Sequence, residues 1–321
     1  MIKKKIVLSI TLISILLTSV GCGSKPKRTK DGLNGEITIS GAFALYPLVV
    51  KWAEEFNKIH PHVKIDISAG GAGKGMTDVL CNMADIGMVS RDIYPSEVEK
   101  GALAFAVAKD AVVPTINAEN PLMEDIMKIG LSRDGAINLW LKNNVKTWEE
   151  LLGTKGNTAM HLYTRSDACG AAETWGAWFG AKQEDLEGVA VFGDPGLAQA
   201  IQKDKLGIGY NNLSYAYDEK SRKLNPGIAI IPIDVNSNGM IDTNEFFYDT
   251  KDEIIAAIAD GRYPSPPARE LFLVTNNIPK KTEVKAFLEY VLTEGQKFNI
   301  PVGYINLPEE ILDNGLELLK D

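Results

Sequence analysis

Residues 37–89 read ITISGAFALYPLVVKWAEEFNKIHPHVKIDISAGGAGKGMTDVLCNMADIGMV. Three β-rich runs, 37–40, 63–68 and 86–89, alternate with two helical patterns at about 47–59 and 74–83. Strand, helix, strand, helix, strand at this spacing predicts an α/β lobe on a mainly parallel sheet covered by helices. In the first helix Leu48, Val49, Trp52, Phe56 and Ile59 recur every three to four residues, which gives it one buried face.

Outward from this stretch, 102–117 is a long extended apolar run suited to leaving one lobe and entering another. The pattern then restarts. A helix-rich piece from Leu122 leads to Thr147, a helix N-cap by its position before Trp148-Glu149-Glu150. Strands are expected at 158–164, 189–192, 206–210 and 228–233, with helices near 171–180 and 195–203. The last segment returns to a strand at 270–275 and helices at 280–293 and 309–319. If that segment completes the first sheet, the chain crosses between lobes twice, and a paired crossing is a hinge. The expected fold is therefore α/β, two Rossmann-like lobes joined by a two-strand hinge. Lobe 1 is 36–113 plus 262–321 and lobe 2 is 114–261.

Composition agrees with this division. The 321 residues are 45% hydrophobic and 24% charged, which excludes disordered, collagenous and membrane-embedded classes. A chain this long usually outgrows one core. The net charge of -8 argues against nucleic acid, or an anionic membrane surface, as the main partner.

Lys3, Lys4 and Lys5 precede an apolar run at 6–20, too short to span a bilayer comfortably and laid out like a secretory signal. Ser19-Val20-Gly21-Cys22 resembles a bacterial lipoprotein processing site, with Ser19 where Leu is usual. On this reading 1–21 is a signal peptide, Cys22 becomes the acylated first residue, and 22–35 is a lipidated tether. The membrane is met through the lipid alone. Loss of the three lysines leaves 31 basic against 42 acidic side chains, a net charge of -11. Cys81 and Cys169 remain; they either pair or serve as separate thiols.

Three loops combine the features of an anion pocket. Ser40-Gly41-Ala42-Phe43-Ala44-Leu45-Tyr46-Pro47 lies between a strand and a helix opened by proline, where unpaired amides and the helix dipole attract negative charge. Ala69-Gly70-Gly71-Ala72-Gly73-Lys74-Gly75 is another strand-to-helix turn, with glycines that admit close backbone approach; Lys74-Gly75 and Ser68 exclude a nucleotide P-loop. In Arg165-Ser166-Asp167-Ala168-Cys169-Gly170-Ala171, the arginine offers a fork of donors that Asp167 can orient.

Together these loops resemble those of the phosphate-binding lipoproteins of ABC importers, a branch of the type II periplasmic binding proteins. The resemblance covers nearly the whole mature chain. It also takes in Lys51-Trp52, Ala84 to Arg91, Lys146-Thr147-Trp148, and Tyr263-Pro264 before Arg269-Glu270-Leu271. It implies a monomeric receptor, not an enzyme, that closes on an oxyanion, phosphate first, and presents it to an ABC permease. The implied contacts are Ala44, Leu45, Ala72, Gly73, Ser90, Arg91, Arg165, Cys169, Gly170 and Ala171. The sequence departs from the family at Ala42, Phe43, Ala44, Leu45, Ala72, Cys169 and Ala171, where serine or threonine hydroxyls are usual. A hydrogen bond to a charged group contributes about 1.5 to 3 kcal/mol, so the losses bear on the ligand rather than the fold. The alternatives are a pocket retuned to another solute, with Cys169 as thiol or thiolate, or an enzyme using Cys169. No spacing ties His60, His62 or His161 to that cysteine.

A separate motif, Asp234-Val235-Asn236-Ser237-Asn238-Gly239-Met240-Ile241-Asp242-Thr243-Asn244-Glu245, satisfies a twelve-residue EF-hand loop. Asp234, Asn236, Asn238, the Met240 carbonyl, Asp242 and Glu245 would be the ligands of a structural calcium ion. A strand precedes the loop where an EF-hand has a helix, so a clip is expected rather than a sensor pair.

Overall fold

The computed structural model describes residues 32–320. The expected signal peptide at 1–21, Cys22 and most of the expected tether lie outside them. Among the described residues no helix is long and apolar enough to cross a membrane.

The described residues form eleven strands: β1 (Asn34–Gly41), β2 (His62–Ala69), β3 (Ile86–Val89), β4 (Ala102–Asn117), β5 (Leu131–Ser132), β6 (His161–Arg165), β7 (Val189–Val191), β8 (Gly207–Asn212), β9 (Ile228–Ile230), β10 (Ile233–Asp234) and β11 (Ala268–Asn276). Nine form one sheet in the order β2-β1-β3-β11-β4-β8-β6-β7, with β9 also on β4; β10 and β5 pair separately. β1 runs parallel to both β2 and β3, and β11 enters antiparallel between β3 and β4.

The hinge lies in β4 and β11. Residues 102–111 of β4 pair with β11 and 112–116 pair with β8, so one unbroken strand belongs to both lobes. The apolar side chains divide accordingly into two cores. One contains Trp52, Phe56, Phe105 and Phe287; the other contains Trp140, Trp148, Trp175 and Tyr210. The handover falls between Ala108 and Ala111 on β4 and between Ala268 and Leu271 on β11, against the expected 113 and 262.

The helix Tyr46–Ile59 opens with proline in its first turn and buries Leu48, Val49, Trp52, Ala53 and Phe56; Ile59, expected on that face, is exposed. Thr147 caps its helix as expected, its hydroxyl accepting from Glu150 N at 3.2 Å. The strand expected at 228–233 is divided. Pro232, which has no N–H for a ladder, separates β9 on β4 from β10 on β5.

Candidate functional site

The turns singled out in the sequence meet where the two lobes face each other. Gly41, at φ +137°, brings the first turn against the end of β3: Ala42 N donates to Met88 O at 2.9 Å, and a Cβ on Gly41 would lie 2.3 Å from that carbonyl. The glycine-rich turn is tied to the first, Gly70 N and Gly71 N both donating to Gly41 O at 2.9 and 3.1 Å. Across the cleft, Gly73 N donates to Ala168 O at 3.1 Å and Tyr215 Oη to Phe43 O at 3.3 Å. Gly170 packs on Ser90 so closely that a Cβ would stand 2.0 Å from the Ser90 carbonyl. The lobes are therefore in contact, and the glycine at the start of the helix Gly170–Phe179 makes that contact sterically possible.

Arg165 is buried with its guanidinium held by two carboxylates. Nε and Nη2 donate to Asp167 at 2.9 and 2.7 Å, and Nη1 donates to Asp194 at 2.8 Å. Burial opposes its charge, but Asp194, and with it Asp167, raises the pKa above the ordinary arginine value. A guanidinium carries five N–H donors, and these bonds use three of them. Asp194 is itself oriented by Asn212, whose Nδ2 donates to Oδ1 at 2.7 Å, and Asp167 accepts from Gly193 N at 3.0 Å. The Phe43 ring of lobe 1 lies 6.0 Å from the Arg165 guanidinium and meets Phe192 of lobe 2 edge to face, centroids 6.3 Å apart.

Several of the expected contacts are employed differently. The amide of Gly73 is given to Ala168 O, and that of Leu45 to Ala42 O at 3.2 Å. Arg91 faces Glu97 through two bonds of 2.9 and 2.7 Å and lies 4.1 Å over the Tyr94 ring. Cys169 N donates to Gln183 Oε1 at 2.9 Å. Its Sγ caps the helix, accepting from Ala172 N at 3.4 Å. Burial pushes the thiol up to about 12 against the lowering effect of Arg165, so at neutral pH it is a thiol and not a thiolate. Cys81 and Cys169 are both unpaired. Ala72, Gly170 and Ala171 occupy the first positions of helices of nine and ten residues, where amides have no intrahelical acceptor. Ala44 is buried in the first turn, its carbonyl accepting from Tyr304 Oη at 2.6 Å.

The sequence reading missed Asp194, Asn212, Asp110 and the part of Arg269 in the cleft. Asp194 alone carried a local signal, an acidic residue before Pro195 at a helix start. Arg269, 8% exposed, donates from Nε to Asp110 Oδ1 at 3.2 Å, and its other nitrogens reach Gly170 O, Thr174 and Asn212. Burial pushes the Asp110 carboxyl up to about 6, with Arg269 opposing.

The family model of the PBP superfamily domain matches residues 26–294. The chain belongs to the PBP superfamily. The phosphate-binding protein PstS of Methanocaldococcus jannaschii is 26% identical, covering 98% of this chain and 94% of the relative. PstS of Bacillus subtilis is 29% identical over 68% of this chain and 73% of its own length. A Clostridium perfringens substrate-binding protein solved with bound phosphate superposes with a TM-score of 0.69 at 20% identity, over 85% of this chain and 100% of that one. An ABC-type phosphate transport receptor from Vibrio cholerae gives 0.61 at 18%, over 85% and 100%. These likenesses give the fold, that of the type II periplasmic binding proteins.

The loop at 234–245 stands apart from the cleft. Asp234 and Glu245 are buried, and their hydrogen-bond partners are backbone amides. Asn238 N and Gly239 N donate to Asp234 at 3.1 and 2.9 Å; Val235 N, Asn236 N and Asp242 N donate to Glu245 at 2.9, 3.2 and 3.1 Å. Asp242 accepts from the side-chain amides of Asn236 and Asn238 at 2.8 and 3.0 Å. Gly239 turns at φ +84° and Met240 is exposed. Among the described residues no side-chain cation pairs with Asp234 or Glu245, and no group of three or more His, Cys, Asp or Glu side chains is gathered closely enough to hold a metal ion; the loop keeps the oxygen-rich residue types that a hard cation takes.

Proposed function

We propose that this chain is the extracytoplasmic substrate-binding lipoprotein of an ABC importer and that it takes phosphate in the cleft between its lobes. The observation that carries the reading is the convergence of helix starts from both lobes around Ser90 and around an Arg165 with two donors to spare. Helix-start amides and a guanidinium favour a compact oxyanion, and closure strengthens them by excluding water. The curated relatives named as phosphate-binding proteins support this choice of ion. The acyl group on Cys22 would hold the receptor, a monomer, at the outer face of the membrane, where the hinge lets a permease reopen the lobes. The neutral, helix-capping thiol of Cys169 favours binding over covalent chemistry.

The 234–245 loop is proposed to hold one structural calcium ion through Asp234, Asn236, Asn238, the Met240 carbonyl, Asp242 and Glu245. When bound, the ion would neutralise the two buried carboxylates and clip the loop to lobe 2.

Calorimetry with phosphate, sulfate, arsenate, molybdate and small organic anions tests the main reading. Phosphate binding that is lost in Arg165→Ala, with the circular dichroism unchanged, supports it. Silence toward phosphate with binding of a larger organic anion would replace it by a retuned receptor.

A further inference from the structure

Arg269 sits where β11 passes from one core to the other, and Asp110 is its pairing partner on β4. Both hinge strands therefore contribute to one buried ion pair, and Asp110 Oδ2 is buried without a hydrogen-bond partner. The rest of the guanidinium is directed into lobe 2. Nη1 donates to Gly170 O at 2.6 Å and to Thr174 Oγ1 at 3.0 Å, while Nη2 donates to Asn212 Oδ1. The first two bonds grip the opening turn of the helix Gly170–Phe179, whose leading amides belong to Gly170 and Ala171. The third continues through Asn212 to Asp194, which clamps Arg165.

We propose that Arg269 is the positioning residue of the anion site: it fixes, from the hinge, both the helix start and the carboxylate that aims Arg165. It touches no guest itself. A planar fork with several donors can hold these partners together, and a lysine point charge cannot. The mechanical consequence is that the hinge strands and the anion contacts in lobe 2 move as one piece, so opening the hinge displaces the helix start with it.

This inference rests on the phosphate reading for its affinity test alone, and a second measurement needs no ligand. Thr174→Val removes one acceptor without changing the shape, Thr174→Ser restores it, and Arg269→Lys breaks the fork. In anion-free protein, hydrogen exchange at Ala172 and Glu173 should quicken about tenfold in Thr174→Val, more in Arg269→Lys, and return to the wild-type rate in Thr174→Ser. Phosphate affinity should fall in step, about tenfold in Thr174→Val and about a hundredfold in Arg269→Lys, with the serine variant restored. Exchange and affinity that are unchanged in Arg269→Lys and Thr174→Val would overturn the proposal. If the wild type ignores phosphate, the functional reading fails and the exchange rates alone decide this one, wild-type rates in both variants again overturning it.

Discussion

The cleft and the 234–245 loop handle charge in opposite ways. In the cleft the groups proposed to meet a guest are donors: helix-start amides and the two N–H groups of Arg165 not engaged by Asp167 and Asp194. In the loop the buried groups are the carboxylates of Asp234 and Glu245, and the amides of Val235, Asn236, Asn238, Gly239 and Asp242 donate to them. On the proposed reading one site takes an anion and the other a cation. They also differ in assembly, since the loop is twelve consecutive residues and the cleft needs turns from both lobes pressed together. A change in one should leave the other working.

Arg165→Ala should have the greatest effect, because it would remove the two charged hydrogen bonds proposed to reach the guest and would leave Asp167 and Asp194 unneutralised. Phosphate affinity should fall at least a hundredfold by calorimetry, while any calcium-induced rise in melting temperature is retained. Glu245→Gln should do the reverse. Calcium at a hundred times its Kd should raise the wild-type melting temperature by about 5 °C, and the variant should lose that shift yet bind phosphate as before. A variant that lost both properties would show that the cleft and the loop are coupled. Phe192→Ala removes the edge-to-face contact with Phe43 at the cleft mouth and should weaken phosphate about fivefold in equilibrium titration, with no effect on calcium. Cys169→Ala should change phosphate affinity less than threefold, because the thiol is neutral and its amide is already given to Gln183. Alkylation at pH 8, read by mass spectrometry, should mark the exposed Cys81 and spare Cys169.

Local burial decides how much could be read in advance. β3 and β4 were legible to the residue because their side chains are almost wholly buried and their sequences are nearly continuous apolar runs. β6 starts at His161 and not at 158, because Glu149 takes both the amide and the hydroxyl of Thr158, at 2.8 and 2.7 Å. No local pattern announces a carboxylate reaching nine residues along the chain. The glycine-rich turns were visible for the same reason that they work, since a glycine is conspicuous and close approach requires one. The partners of Arg165 were only half visible. Asp167 is two residues away, whereas Asp194, Asn212 and Arg269 come from elements that meet only when the lobe and hinge have folded. The partner of Arg91 was not visible either, since its carboxylate, Glu97, is supplied by the next short helix, Pro95–Val98.

Amides from both lobes are proposed to bind one anion. The direct measurement is a phosphate titration of the nitrogen-15 labelled protein followed by amide NMR. Ala72 from lobe 1 and Gly170 and Ala171 from lobe 2 should shift together, saturating at one equivalent and with a common binding constant. Shifts confined to one lobe, or no shift at these amides while phosphate binds elsewhere, would contradict the account.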